Sequence, residues 1–432
     1  MRYYSTNHTV PKISLKEAVL SGLAGDKGLF MPERVMHVHT SVLNRLHEMN
    51  FQDIALEAAK AFFKTDMTKA DLKVIIDDTL TFDCPVVHVR DNIYSLELYH
   101  GPTLAFKDVG ARFMARLLAY FLQGSKSEVK VLVATSGDTG SAVANGFLRV
   151  SGIHVYVLYP KGLVSEIQER QFTTLGENIT ALEVDGSFDD CQRLVKTAFL
   201  DEELRNSLTL TSANSINIAR FFPQSFYYFN AVARLREMGI NGDIVFSVPS
   251  GNFGNLTAGL VAKRMGLQVK RFMAANNEND VVYQYLKSGV YSARPSVPTI
   301  ANAMDVGDPS NFARILDLYK NSHEDIKADI AGFRYSDEEI KETVRNLYKN
   351  HHYLADPHGA VGYRALCDGL KPDETGVFLE TAHPAKFIDT MEDIVEKGII
   401  TIPEKLMEFM DREKQSIPMS KDFDDFKEFL LS

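Results

Sequence analysis

The stretch VKVLVATSGDTGSAVANGFLRV, residues 129–150, decides the fold. Branched apolar residues run up to Thr135, a glycine-containing turn follows through Gly140, and apolar positions then return at helical spacing. That is one strand–turn–helix unit. Working outward, the same rhythm repeats. Candidate strands are IHVYVLYP (153–160), ITALEVDG (179–186), LTLTSAN ending at Asn214, DIVFSVPS ending at Ser250, and later QVKRFMAANN and GVFLET. Between them lie the helical patterns SEIQERQFTTLG, DDCQRLVKTAFLDEEL, NIARFFPQSFYYFNAVARLREMG and NLTAGLVAKRMG. Strands alternating with helices, joined by right-handed crossovers, build parallel sheets, so the class is α/β. Residues 1–80 read differently. SLKEAVLSGLAG, SVLNRLHEMN and DIALEAAKAFFK form an N-terminal helical region before the rhythm begins. Residues 320–355 are polar and suggest exposed helices, one of them capped by Ser336.

A chain of 432 residues implies about two or three domains at roughly 150 residues each. Lys plus Arg total 47 against 57 Asp plus Glu, a net charge of -10, which offers no basic field for nucleic acid. No run approaches a membrane-spanning length and the opening MRYYSTNHTVPK has no leader pattern, so a cytoplasmic protein without a membrane partner is expected. Cys84, Cys191 and Cys367 are odd in number and far apart, and no HExxH occurs, so neither a disulfide framework nor a metal site is expected.

Four segments carry chemistry. In SVPSGNFGNLTAGL (247–260) a strand ends at Ser250, the loop Gly251-Asn252-Phe253-Gly254-Asn255 turns, and a helix begins near Leu256. Backbone N–H groups there suit a phosphate monoester, although an ordinary tight turn has the same letters. In the SGDTG turn, Thr135, Ser136, Asp138 and Thr139 place hydroxyls beside free N–H groups, which suits a carboxylate or a plain helix cap. In SLELYHGPTLAFKDVGARFMARLL, Lys107 follows Leu104-Ala105-Phe106 and opens a helical pattern; it is either a nucleophilic amine or a surface charge paired with Asp108. In GVFLETAHPAKF, Thr381 stands at the carboxyl end of a strand, the edge where open α/β sheets bind ligands, or caps the next helix.

Together and in this order, FKD (106–108), SGDTG (136–140), SGNFGN (250–255) and TAHPAKF (381–387) resemble the threonine synthase family. The likeness runs through nearly the whole chain, including GDKGLFMPE (25–33), SANSINIARFFPQ (212–224) and NAMDVGDPSNFAR (302–314). The resemblance implies a pyridoxal phosphate enzyme of fold type II, the tryptophan synthase β-subunit type, with two open parallel-sheet α/β domains. The expected division is 1–80 as the helical region, 81–115 with 215–432 as the larger cofactor-binding domain, and 116–214 as the smaller one. It further implies that Lys107 is joined to the cofactor and later acts as a base. Gly251, Asn252, Phe253, Gly254 and Asn255 would hold the cofactor phosphate, and Thr381 would face the pyridine nitrogen. The reaction implied is O-phospho-L-homoserine and water to L-threonine and phosphate, the last step of threonine biosynthesis, by a monomer or homodimer. The substrate carboxylate would sit on Thr135, Ser136, Asp138 and Thr139, with Asp138 acting through structure or its backbone. The substrate phosphate would meet Lys161, Ser215, Asn217, Arg220 and Gln224, which lie in polar segments after strands. Relatives on the same scaffold release a 2-oxo acid instead, and a non-catalytic sensor of a phosphorylated metabolite is the reading from another class.

Overall fold

The computed structural model describes residues 1–125 and 128–432. They divide into two compact units: Met1, Met31–Phe106 and Phe221–Thr401 form the first, and Arg2–Phe30, Lys107–Arg220 and Ile402–Ser432 the second.

The first unit is built on a six-stranded sheet in the order Ile330–Arg334, Arg271–Asn276, Asp243–Pro249, Glu374–Glu380, Ile93–Glu97, Val86–Arg90. The first five strands run parallel, and the last pairs antiparallel with Ile93–Glu97. The parallel expectation therefore needs one amendment, an antiparallel hairpin at the sheet edge. Asp243–Pro249 and Glu374–Glu380 are buried almost throughout, because helices cover both faces of a central parallel strand. Gln224–Glu237 begins only after Pro223, since a proline has no N–H and disfavours helix at the residue before it; the long helical pattern in the sequence is split there. Phe51–Phe63 packs on Gln224–Glu237, and the Phe62 ring stacks on Phe222 at 3.8 Å.

The second unit carries a five-stranded parallel sheet in the order Ile417–Met419, Ile179–Val184, Ile153–Pro160, Val129–Ala134, Thr209–Ser212. Two of its pieces come from the ends of the chain. Leu15–Ser21 lies against Thr209–Ser212, where the Thr211 hydroxyl donates to the Val19 carbonyl at 3.1 Å. The last strand pairs with Ile179–Val184, the Asp185 N–H donates to the Met419 carbonyl at 2.9 Å, and Phe426 and Leu430 enter a core with Leu182, Val184 and Leu194. These units cut the chain elsewhere than the boundaries at 80, 115 and 214, because non-local packing draws both termini onto one sheet.

Cys84 and Cys191 are buried thiols and Cys367 is exposed. Among the described residues no helix is long and apolar enough to cross a membrane.

Candidate active site

In the first unit, Asp243–Pro249 and Glu374–Glu380 are parallel neighbours with Ser247 opposite Phe378, so the loops after them leave the same edge of the sheet. One loop carries Gly251–Asn255 and the other Thr381. The helix after the first loop starts at Gly254, two residues before the expected Leu256, so Gly254 and Asn255 lie in its first turn, whose N–H groups have no intrahelical acceptor. Phe253 caps it in the left-handed region at φ 59°, a strained place for a bulky residue. It is held there by burial and by Thr257, whose N–H and hydroxyl both donate to the Phe253 carbonyl, at 3.0 and 2.6 Å. Asn276 Nδ2 donates to the Ser250 carbonyl at 3.0 Å, and Asn252 Oδ1 accepts from the Ser310 N–H at 2.7 Å. Oxygens of the loop thus anchor it, and the N–H groups of Gly254 and Asn255, in the first helical turn, have no intrahelical acceptor. A Cβ built on Gly251 would stand 2.7 Å from the Met304 Cα, so no side chain fits there.

A phosphate fits this loop. Asn255 Nδ2 is buried with no hydrogen-bond partner. Such an orphan donor costs about 1–3 kcal/mol, and a phosphate oxygen would remove that cost beside the positive end of the helix. The residues present therefore suit the phosphate of pyridoxal phosphate.

Thr381 is buried, and its carbonyl accepts from the Phe106 N–H at 2.8 Å. An antiparallel bridge joins Ala105 to Ala382, and the His383 N–H donates to the Leu104 carbonyl at 3.1 Å. Leu104 takes φ 56° to make this turn. Phe106, the residue before Lys107, is therefore fixed on Thr381, a pairing that sequence spacing does not reveal.

Behind Thr381 lies a buried acid network. Glu380 Oε1 accepts from the Asp356 N–H at 2.6 Å, Asp356 Oδ2 accepts from the Ala382 N–H at 3.2 Å, and Asp356 Oδ1 lies 2.7 Å from His358 Nδ1. Because His358 Nε2 accepts from the Ala303 N–H at 3.1 Å, Nδ1 carries the ring proton and donates to Asp356. The network joins the strand end at Thr381 to the segment that floors Gly251. Burial, reinforced by the Asp356 carboxylate, pushes Glu380 well above the usual carboxyl range. Burial and nearby His100 push His383 down to about 4, so its imidazole is neutral.

A carboxyl whose folded pKa is raised binds its proton more tightly folded than unfolded. Its contribution is complete below the ordinary glutamate range and declines as pH rises towards the folded pKa. Glu380→Gln carries no such slope, so its stability relative to the native chain should improve by roughly 1 kcal/mol per pH unit above pH 5. Melting temperatures of both proteins at pH 5 and pH 8 check this; a constant gap would mean that Glu380 titrates normally.

In the second unit, Lys107 is the first residue of the helix Lys107–Leu122. Its Nζ lies 3.7 Å from Asp138 Oδ2, an ion pair with both side chains mostly buried. Asp138 Oδ1 in turn accepts from Gln168 Nε2 at 2.8 Å. Gly137, at φ 141°, allows this approach, since a Cβ there would stand 2.6 Å from the Gln168 carboxamide. This pairing with Asp138, 31 residues away, is one that the local sequence does not offer. The Thr135 hydroxyl accepts from the Gly137 and Gly140 N–H groups at 2.9 and 2.8 Å, so it shapes the turn, while Ser136 and Thr139 are half-buried.

Val129–Ala134, Ile153–Pro160 and Thr209–Ser212 are adjacent parallel strands, so Thr135–Thr139, Lys161 and Ser215 follow the carboxyl ends of three neighbours. Lys161 is exposed and Ser215 half-buried. Asn217 and Arg220 are buried. Asn217 Nδ2 donates to the Val19 and Ser212 carbonyls, both at 3.0 Å, and its Oδ1 accepts from the Ala219 N–H at 3.0 Å, so its amide is spent on holding the segment. Arg220 donates to the Ala213 carbonyl; burial draws its pKa down to about 10 against the pull of Asp108, which leaves it charged at neutral pH. Gln224 belongs to the first unit, where its Oε1 lies 3.4 Å from the Tyr227 hydroxyl. Sequence reading missed Gln168, Tyr227, Tyr228, Glu380, Asp356 and His358. Of these only Asp356 had a local signal, an N-cap before Pro357.

Comparison with known proteins identifies the family. The family described as pyridoxal-phosphate dependent enzyme matches residues 80–381, flanked by threonine synthase N terminus at 2–80 and threonine synthase, C-terminal, at 359–430. The threonine synthase of Haemophilus influenzae is 44% identical, with 100% of both chains covered. The crystal structure of threonine synthase from Escherichia coli superposes with a TM-score of 0.93 at 41% identity, covering 100% of this chain and 99% of that one. The PLP-bound threonine synthase from Brucella melitensis gives 0.92 at 33% identity, with 100% and 99% covered. With this likeness over its full length, the chain belongs to the threonine synthase family of pyridoxal phosphate-dependent enzymes.

Proposed function

We propose that this enzyme converts O-phospho-L-homoserine and water to L-threonine and phosphate. The observation that carries the reading is the full-length likeness to threonine synthases, terminal regions included, at an identity of 44%. Gly251, Asn252, Phe253, Gly254 and Asn255 would hold the cofactor phosphate, Thr381 its ring nitrogen, and Lys107 its aldehyde carbon. When bound, pyridoxal phosphate supplies an electron sink for the electrons left when the substrate Cα loses its proton. A neutral hydroxyl at Thr381, unlike a carboxylate, does not force a proton onto the ring nitrogen, which moderates that sink and favours elimination and replacement. The Lys107 amine takes the Cα proton, and Asp138 holds its Nζ in place. Ser136 and Thr139, with the N–H groups of their turn, bind the substrate carboxylate. Thr135 shapes that turn. Lys161 and Ser215 meet the substrate phosphate at the edge of the same sheet. Asn217 and Arg220, both buried, brace the segment after that strand through the carbonyls of Val19, Ser212 and Ala213.

Asp138→Asn keeps an acceptor for Gln168 but removes the charge beside Lys107. It is expected to lower kcat/KM by about tenfold with little change in melting temperature. An unchanged kcat/KM would leave Asp138 only as a prop for the turn. The function itself is tested by incubating the holoenzyme with O-phospho-L-homoserine and quantifying threonine, 2-oxobutyrate and phosphate together. Threonine equal to phosphate supports the synthase; phosphate with 2-oxobutyrate and little threonine replaces it with a lyase on the same scaffold.

A further inference from the structure

Two consecutive tyrosines of Gln224–Glu237 converge on one atom. The Tyr227 and Tyr228 hydroxyls each lie 2.7 Å from Asn255 Oδ1, and the Tyr228 hydroxyl is also 3.1 Å from the Asn255 backbone carbonyl. Neighbouring residues on a helix diverge by about 100°, so a shared target is not a by-product of the backbone. Tyr228 is held edge-on against Phe246 and Phe272, with ring centroids 5.0 and 6.1 Å away, and the Tyr227 ring packs at 5.2 Å from that of Tyr228. Both phenols are wholly buried, and burial pushes their ionisation well above the ordinary tyrosine range, so both remain O–H donors at any working pH.

A carboxamide oxygen accepts about two hydrogen bonds, and here two phenols supply them. An asparagine amide is nearly symmetric in shape. Turned by half a rotation, it would offer its oxygen, and not its nitrogen, to the opposite side. With Oδ1 held on the tyrosine side, Nδ2 must point away from them, and Nδ2 is the buried donor without a partner.

We infer that Tyr227 and Tyr228 are positioning residues for the cofactor: they lock the Asn255 carboxamide so that its nitrogen, never its oxygen, meets the cofactor phosphate. This rests on the reading that the Gly251–Asn255 loop holds that phosphate. The pair decides the sign of the dipole presented to a dianion, which shape alone leaves open.

The test compares the native chain with Tyr227→Phe, Tyr228→Phe, the double variant, Asn255→Ala and Asn255→Asp. Each cofactor-stripped protein is titrated with pyridoxal phosphate, the phosphorus NMR signal of the bound cofactor is recorded, and the melting temperature is measured without cofactor. The double variant is expected to bind about tenfold more weakly and to shift the phosphorus signal while melting normally; Asn255→Asp, which faces an oxygen to the phosphate, should bind roughly a hundredfold more weakly. A double variant with native affinity and an unmoved phosphorus signal, beside a weakened Asn255→Ala, overturns the lock but leaves the loop in place. Native affinity in Asn255→Ala and Asn255→Asp together removes the loop reading, and the lock with it. If the double variant melts early, the phosphorus signals of the two single variants decide in the same way.

Discussion

Lys107→Ala is expected to abolish the visible absorbance of lysine-linked cofactor and to lower turnover by a factor of about 10⁴ or more. The amine has two duties, covalent attachment and proton removal, and no neighbouring group replaces both. The surrounding structure is built for one position of this residue. Phe106 is fixed to the Thr381 carbonyl, the helix starts at Lys107 itself, and Nζ rests on Asp138, which Gln168 orients. Removing the ammonium also takes a cation from beside the mostly buried Asp138, which costs stability. Lys107→Arg separates the effects. It keeps a cation beside Asp138 but offers no amine that can attach to the cofactor, so it should fold and be as inactive as the alanine variant. A persisting absorbance band in either variant would mean that another lysine carries the cofactor.

Gly251→Ala is expected to weaken pyridoxal phosphate binding by roughly 10- to 100-fold, in line with about 1–3 kcal/mol for overpacking a site that cannot give way. The new methyl would stand 2.7 Å from the Met304 Cα and 3.1 Å from the Ala303 carbonyl oxygen. Both are backbone atoms, and they are tied down: the Ala303 N–H donates to His358, and the Met304 N–H donates to the Ala301 carbonyl at 3.0 Å. The loop must move instead, and its N–H groups lose their aim. Titration of the cofactor-stripped variant reads this directly. Native affinity would show that this loop is not the phosphate cradle.

The chemistry-bearing segments were legible because they are local. A run of branched residues up to Ala134, a glycine turn and a returning helical period mark a βα unit whatever surrounds it, and the same letters put Gly251–Asn255 and Thr381 after strand ends. Ser336 was legible as a cap for the same reason, since its partner Glu339 is three residues away. What failed was non-local. Short strands such as Val86–Arg90 and Ile417–Met419 are defined by their pairing more than by their composition, and SVLNRLHEMN folds into two short helical turns, Thr40–Leu43 and Leu46–Glu48.

By itself, then, the sequence determined the α/β class, the order of strands and loops, and which residues could carry an amine, a hydroxyl or a row of N–H donors at a sheet edge. Only the tertiary structure decided their partners. Lys107 is paired with Asp138, Asn217 is consumed by the carbonyls of Val19 and Ser212, and two adjacent tyrosines, Tyr227 and Tyr228, grip Asn255. The physical reason is that periodicity records which way a side chain faces, whereas a hydrogen bond or ion pair depends on a second residue whose distance along the chain, 31 residues for Lys107 to Asp138, leaves no trace in either local pattern.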